Sequence, residues 1–116
     1  MDWEEIGKRA FNRYFNWYDK TENHDDSQEL ASGEIESAME GSGIEIEYSW
    51  YEDLPVDAWV RVASGFIKAY ENIEKEVGYE VSEGFMGPAH TWFVGCMFDA
   101  NAVHNDPRLE KLLEKF

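Results

Sequence analysis

The sequence predicts an α+β fold: a predominantly helical single domain of four to five helices, with a small antiparallel sheet that includes residues 44–51. Three observations carry that expectation. Apolar residues recur at helical spacing over most of the chain, they alternate strictly with polar ones over residues 44–51, and no repeat, low-complexity tract or linker divides the 116 residues. A chain of this length is sized for one hydrophobic core.

Residues 2–20 form the first predicted helix. At ~100° per residue, Trp3, Ile6, Ala10, Phe11, Tyr14, Phe15, Trp17 and Tyr18 fall in one half of the helical wheel, with Lys8, Arg9, Asn12, Arg13 and Asn16 in the other. Six aromatics on one face are more than a small core usually accepts, so part of that face, or the edge of the strand below, is a candidate homodimer contact. Residues 21–26 read as a polar loop. Asp26 or Ser27 then caps a second helix, Asp26 and Glu29 having the spacing of a capping box. It runs to about residue 40, burying Ala31, Ile35, Ala38 and Met39 and showing Glu29, Glu36 and Glu40 on its outer face. Gly41-Ser42-Gly43 ends it in a turn.

Over residues 44–51 the pattern is that of a half-buried strand, with Ile44, Ile46, Tyr48 and Trp50 inward and Glu45, Glu47, Ser49 and Tyr51 outward. A lone strand leaves its backbone groups unpaired, so residues 79–82, residues 92–98 or the same strand of a second subunit are its expected partners. Asp53-Leu54-Pro55 opens a third helix whose apolar arc runs through Trp59, Val62, Ala63, Phe66, Ile67, Ala69, Tyr70, Ile73 and Val77, and Gly78 stops it. A short extended piece at residues 79–81 and a glycine-punctuated loop at residues 83–88 follow. Residues 90–104 fit a helix burying Trp92, Phe93, Cys96, Met97, Ala100 and Val103 better than a strand, because the pattern outlasts strand length. Asp106-Pro107 opens a last helix with Leu109, Leu112, Leu113 and Phe116 inward.

Charge is distributed unevenly. Residues 21–60 hold twelve acids and no Lys or Arg, while the first twenty residues balance and residues 61–116 carry nine acids against six bases, so four-fifths of the net −15 lies in one third of the chain. The same forty residues carry Leu30, Ile35, Met39, Ile44, Ile46, Tyr48, Trp50 and Tyr51, which makes them a folded acidic face and not a disordered tail. Such a charge argues against direct binding of nucleic acid or an anionic membrane and asks for a basic protein partner. No apolar run approaches the ~18 residues of a membrane span, and the start Met1-Asp2-Trp3-Glu4-Glu5 is the opposite of a signal peptide's. The single Cys96 fits a reducing compartment, and a cytoplasmic protein is expected.

Chemistry-bearing motifs are weak. Cys96, between His90 and His104, sits among Trp92, Phe93, Met97 and Phe98, the setting of an inert core thiol. His24-Asp25-Asp26 lacks the glycine and glutamate spacing of a calcium loop, and Gly41-Ser42-Gly43 follows a helix where a phosphate cradle precedes one. No enzyme activity, metal or cofactor is expected. What remains is the acidic face itself, against the blander alternatives of solubility, halophilic adaptation or neutralisation of a basic patch that the rest of the chain does not offer. Glu45 and Glu47 stand ~6.6 Å apart by strand rise, and Glu29 to Glu40 span ~16 Å of a helix, a density comparable to the one charge per ~1.7 Å of duplex DNA.

In size and charge the chain resembles the small acidic proteins of phages and mobile elements that block restriction enzymes or CRISPR effectors, a resemblance of composition. It implies an inhibitor that occupies a basic nucleic-acid-binding protein by DNA mimicry through Glu29, Glu36, Glu40, Glu45, Glu47, Glu52 and Asp53, flanked by Trp50 and Tyr51. The competing class is an immunity or antitoxin protein neutralising a basic toxin nuclease, with Tyr48, Trp50 and Tyr51 as aromatic anchors.

Overall fold

Six helices and the turns between them account for the computed structural model, which describes residues 1–77 and 79–116, with side chains described outside residues 77–86. They are α1 (Trp3–Thr21), α2 (His24–Gly41), α3 (Trp50–Asp53), α4 (Val56–Val77), α5 (Tyr79–His104) and α6 (Pro107–Lys115). The fold is an all-helical bundle, 84% helix, with no strand among the described residues. The expected α+β architecture with an antiparallel sheet is therefore overturned.

The reason lies in how residues 44–49 satisfy their backbone. Ile44 and Ile46 do pack against the core while Glu45 and Glu47 face solvent, so the alternation is real. Yet the N–H groups of Glu47 and Tyr48 both donate to Oδ2 of Asp53, at 2.7 and 2.8 Å, and that of Ile44 donates to the Met39 carbonyl at 2.9 Å. A carboxylate and a helix end take the place of a second strand, and a half-buried connector gives the same sequence pattern as a half-buried strand. The two internal segments that were to pair with it, residues 79–82 and 92–98, are helical.

Helix α1 lies along α4 and α2, and its aromatic face supplies the core: Phe11 and Tyr14 are fully buried, and Trp3, Phe15 and Tyr18 pack on the cluster's edge. Of the face that suggested a dimer contact, Trp17 is 39% exposed, and Trp3, Phe15 and Tyr18 are half-buried. Two glycines set the α1–α4 distance. A Cβ on Gly7 would lie 2.0 Å from the Val62 carbonyl oxygen, and one on Gly65 would lie 1.8 Å from that of Glu4, so the two backbones touch where a side chain would hold them apart. Glu4 closes the contact by accepting from Ser64 Oγ at 3.2 Å and pairing with Lys68.

The chain reverses between α1 and α2 in two residues. Glu22 takes a left-handed conformation (φ 54°) that closes α1 through its N–H to the Tyr18 carbonyl, and Asn23 caps α2 by accepting from the Asp26 N–H at 3.0 Å. The cap thus falls three or four residues before the expected Asp26 or Ser27. Ser27 is buried inside the first turn, its hydroxyl donating to the Asn23 carbonyl.

Helix α5 begins well before the expected residue 90 and runs through the stretches read as extended (79–81) and as a loop (83–88), Pro88 included. Proline removes one helical donor and disfavours the preceding turn. Tertiary packing of Ala89, Phe93, Cys96, Met97 and Ala100 carries the helix past it. Val103, expected inside, is 58% exposed. At the centre, Phe66 and Phe93 stack with ring centroids 4.0 Å apart, Phe11 meets Phe66 edge-on at 5.2 Å, and Trp59 joins Phe93 to Trp50. Asp106 caps α6, which Arg108 ties back to α4 by bridging Asp57 and Asp106. No helix of the described residues is long and apolar enough to cross a membrane.

Candidate partner-binding surface

Helix α2 sits at the margin of the bundle, packed chiefly on α1 and more lightly on α3 and α5, and this leaves its outer side to solvent. Buried Ala31, Ile35, Ala38 and Met39 fix its rotation, as the sequence implied, and that rotation turns Glu29, Glu36 and Glu40 outward. All three are exposed, and none has an ion-pair partner among the described residues. Glu45 and Glu47 continue the exposed acids into the connector after α2. Glu34 is different: it faces Arg13 of α1 at 3.6 Å and belongs to the helix–helix contact.

The energetics of α2 are divided along its length. Asp25 and Asp26 in the first turn complement the positive end of the helix dipole. Its last turn has no base and instead carries Glu40, against the dipole and four residues from Glu36 on the same face. Each of these placements disfavours the isolated fold by a fraction of a kcal/mol to about 1 kcal/mol. The helix stands because its opposite face is buried.

The remaining residues expected at the surface are distributed otherwise. Asp53 is occupied as acceptor for two backbone donors, and Glu52 is half-buried in α3. Trp50 is a core residue, 4% exposed, stacked on Trp59 at 5.3 Å and donating its indole N–H to Ser32 Oγ at 3.1 Å. Tyr51 is partly buried against the core, and its carbonyl accepts from the Trp59 indole. The aromatic that the connector does present is Tyr48, 79% exposed. Alternation had turned it inward, but the bend that brings the Glu47 and Tyr48 amides onto Asp53 breaks the register there.

Sequence spacing also missed what α5 adds. An open cleft of about 570 Å³ lies between α2 and α5, lined by Asp25, Gln28, Glu29, Ser32, Glu36 and Trp92. Three carboxylates thus share a concavity with an indole, an arrangement suited to a Lys or Arg side chain held by charge and by the ring face. No signal along the chain joins residues 25–36 to residue 92; only the helix crossing does.

Of the groups considered for catalysis, Cys96 is built into the core, and His90 and His104 are half-buried. Burial, and then the charge of Asp99, push the Cys96 thiol up to about 12, so the nucleophilic thiolate is scarce at neutral pH. His90 stacks on Phe116 at 5.6 Å, and the His24 ring is engaged by the Tyr14 hydroxyl and by Gln28 Nε2 at 3.0 Å. Comparison with protein-family models, with curated proteins and with solved structures finds no match to this chain.

Proposed function

We propose that the protein is an acidic inhibitor that binds a basic, nucleic-acid-binding protein through the α2 face and the following connector, presenting carboxylates where that partner expects phosphates. The observation that carries this reading is the run of exposed, unpaired acids formed by Glu29, Glu36 and Glu40 on a helix whose last turn has no compensating base and by Glu45 and Glu47 in the connector after it. Charges held on a packed helix are pre-organised, so little ordering entropy is lost on binding. Long-range attraction to a basic groove chiefly speeds encounter, while the cleft at Trp92 offers a place for one inserted cation. Tyr48, exposed beside Glu47, supplies an aromatic contact at the rim.

The test is capture of the partner from host extract, followed by competition with duplex DNA. Mimicry requires that DNA and this protein exclude one another on the captured partner. Affinity should fall steeply as salt rises past the point where the Debye length reaches ~8 Å, and Glu45→Lys with Glu47→Lys should weaken binding at least tenfold without altering the circular dichroism spectrum. Binding indifferent to salt and to both reversals, but lost in Trp17→Ala or Tyr48→Ala, would show an apolar interface and end the mimicry reading. A captured nuclease that still binds DNA in the complex would favour the immunity alternative.

A further inference from the structure

Helix α5 keeps a face to solvent that carries almost no charge. Its exposed residues over 87–104 are Thr91, Gly95, Phe98, Asp99, Ala102 and Val103, of which only Asp99 is charged, whereas α1, α2, α4 and α6 each expose several charges. Phe98 stands 60% exposed. Thr91, Gly95, Phe98 and Ala102 follow the four-three-four spacing of a helix-pair seam, so one large ring stands beside a notch on a single stripe. A Cβ on Gly95 would meet nothing within 4 Å, and no contact among the described residues calls for a glycine that weakens the middle of a helix. Gly33 of α2 is equally open, but its exposed neighbours Glu29, Glu36 and Ser37 are polar. What such a notch permits is visible within the molecule, where Gly7 and Gly65 let α1 and α4 touch backbone to backbone.

We propose that this stripe is the contact of a weak homodimer in which the α5 helices of two copies pack antiparallel. Two features name a second copy as the occupant. A two-fold axis level with residues 96 and 97 sets Phe98 of each copy over the notch at Gly95 of the other, and Ala102 over Thr91, so the stripe is its own complement, as an isologous interface requires. Charge is the second: a chain of net −15 repels its own copy, and on this face two copies meet with one acid each, while a basic partner finds little here to pair with. Asp99 flanks the seam on the side where it faces Asp99 of the other copy, and it opposes the contact. The stripe is only ~17 Å long by helix rise, which places the dimer in the small, transient class of interfaces.

Sedimentation equilibrium of the full chain from micromolar to millimolar concentration reads the mass directly. Monomer at the low end and dimer at the high end are expected, with the association constant rising about threefold or more between ~0.05 M and ~0.5 M salt as the repulsion is screened. Phe98→Glu removes the knob, and Gly95→Gln fills the notch with a good helix former; each should weaken association about tenfold or more with the circular dichroism spectrum unchanged. Asp99→Asn, which removes the opposed acids, should tighten it about twofold or more. Monomer mass at millimolar concentration in high salt, a dimer that either Phe98→Glu or Gly95→Gln leaves intact, a looser dimer in Asp99→Asn, or one lost in Trp17→Ala or Tyr48→Ala would each overturn the proposal.

Discussion

Two glycines of similar sequence setting have opposite roles in this molecule. Gly65 lets the α4 backbone touch that of α1, and a methyl group there would sit 1.8 Å from the Glu4 carbonyl oxygen, whereas one on Gly33 meets nothing within 4 Å. Gly65→Ala should therefore destabilise by at least the upper end of the roughly 1–3 kcal/mol of core overpacking. Gly33→Ala, in the interior of α2, should stabilise by about 0.5–1 kcal/mol. Urea unfolding of the two variants checks both signs, and equal effects would contradict the α1–α4 contact. A residue-scale pH dependence comes from Asp106. The Arg108 guanidinium, and then the Arg108 N–H, hold its carboxyl below the ordinary 3.8. A depressed carboxylate contributes stability that is present above its unfolded pKa and is lost as pH falls through the folded value. Asp106→Asn keeps a capping side chain but not the charge, so it should flatten the loss of stability below about pH 4; an unchanged acid limb in thermal melts would remove the role given to that pair.

At the scale of an element, α2 carries the tension between folding and binding. Its buried stripe and its Asn23 cap hold it in place, while Glu36 and Glu40 load its C-terminal half with charge of the unfavourable sign. Glu40→Lys should raise the stability of the free protein by about 0.3–1 kcal/mol through the dipole and through an attractive pair with Glu36. The same change should weaken partner binding. A variant both less stable and equally competent in binding would count against the surface as drawn. The α2–α3 connector shows the complementary economy: one carboxylate, Asp53, organises the segment that puts Glu45, Glu47 and Tyr48 in solvent.

Across the whole molecule, 25 acids face 10 bases, and the ion pairs Glu4–Lys68, Glu34–Arg13 and Asp57–Arg108 join different helices but are exposed enough to be worth little individually. Self-repulsion of the compact state outweighs them. The melting temperature of the free protein should accordingly rise as salt shortens the Debye length from ~30 Å at 0.01 M to ~10 Å at 0.1 M, opposite in direction to the salt dependence expected for partner binding. A melting temperature that falls over that range would mean that the inter-helix pairs dominate. The two opposed salt responses separate the electrostatics of the fold from the electrostatics of recognition.

Period and composition by themselves determined the helical faces of α1, α2, α4 and α6, the identity of most core residues, and the concentration of charge in residues 21–60. These are local properties: a 3.6-residue period records which side of a helix is dry, whatever dries it. Tertiary structure decided the rest. Alternation over residues 44–47 recorded burial on one side truthfully, but whether the backbone finds a strand or a carboxylate depends on Asp53, six residues beyond Glu47, and on helices that leave no sheet to join. Glycines and Pro88 suggested a break that the packing of Ala89, Phe93 and Met97 overrides. The acidic surface was legible as charge, yet its aromatic members were not. Trp50 lies inside, where the alternation had turned it and where it cannot serve the surface, Tyr48 went outside because of one bend, and Trp92 joined Glu29 and Glu36 because α5 crosses α2, a juxtaposition of residues more than fifty positions apart that no local pattern encodes.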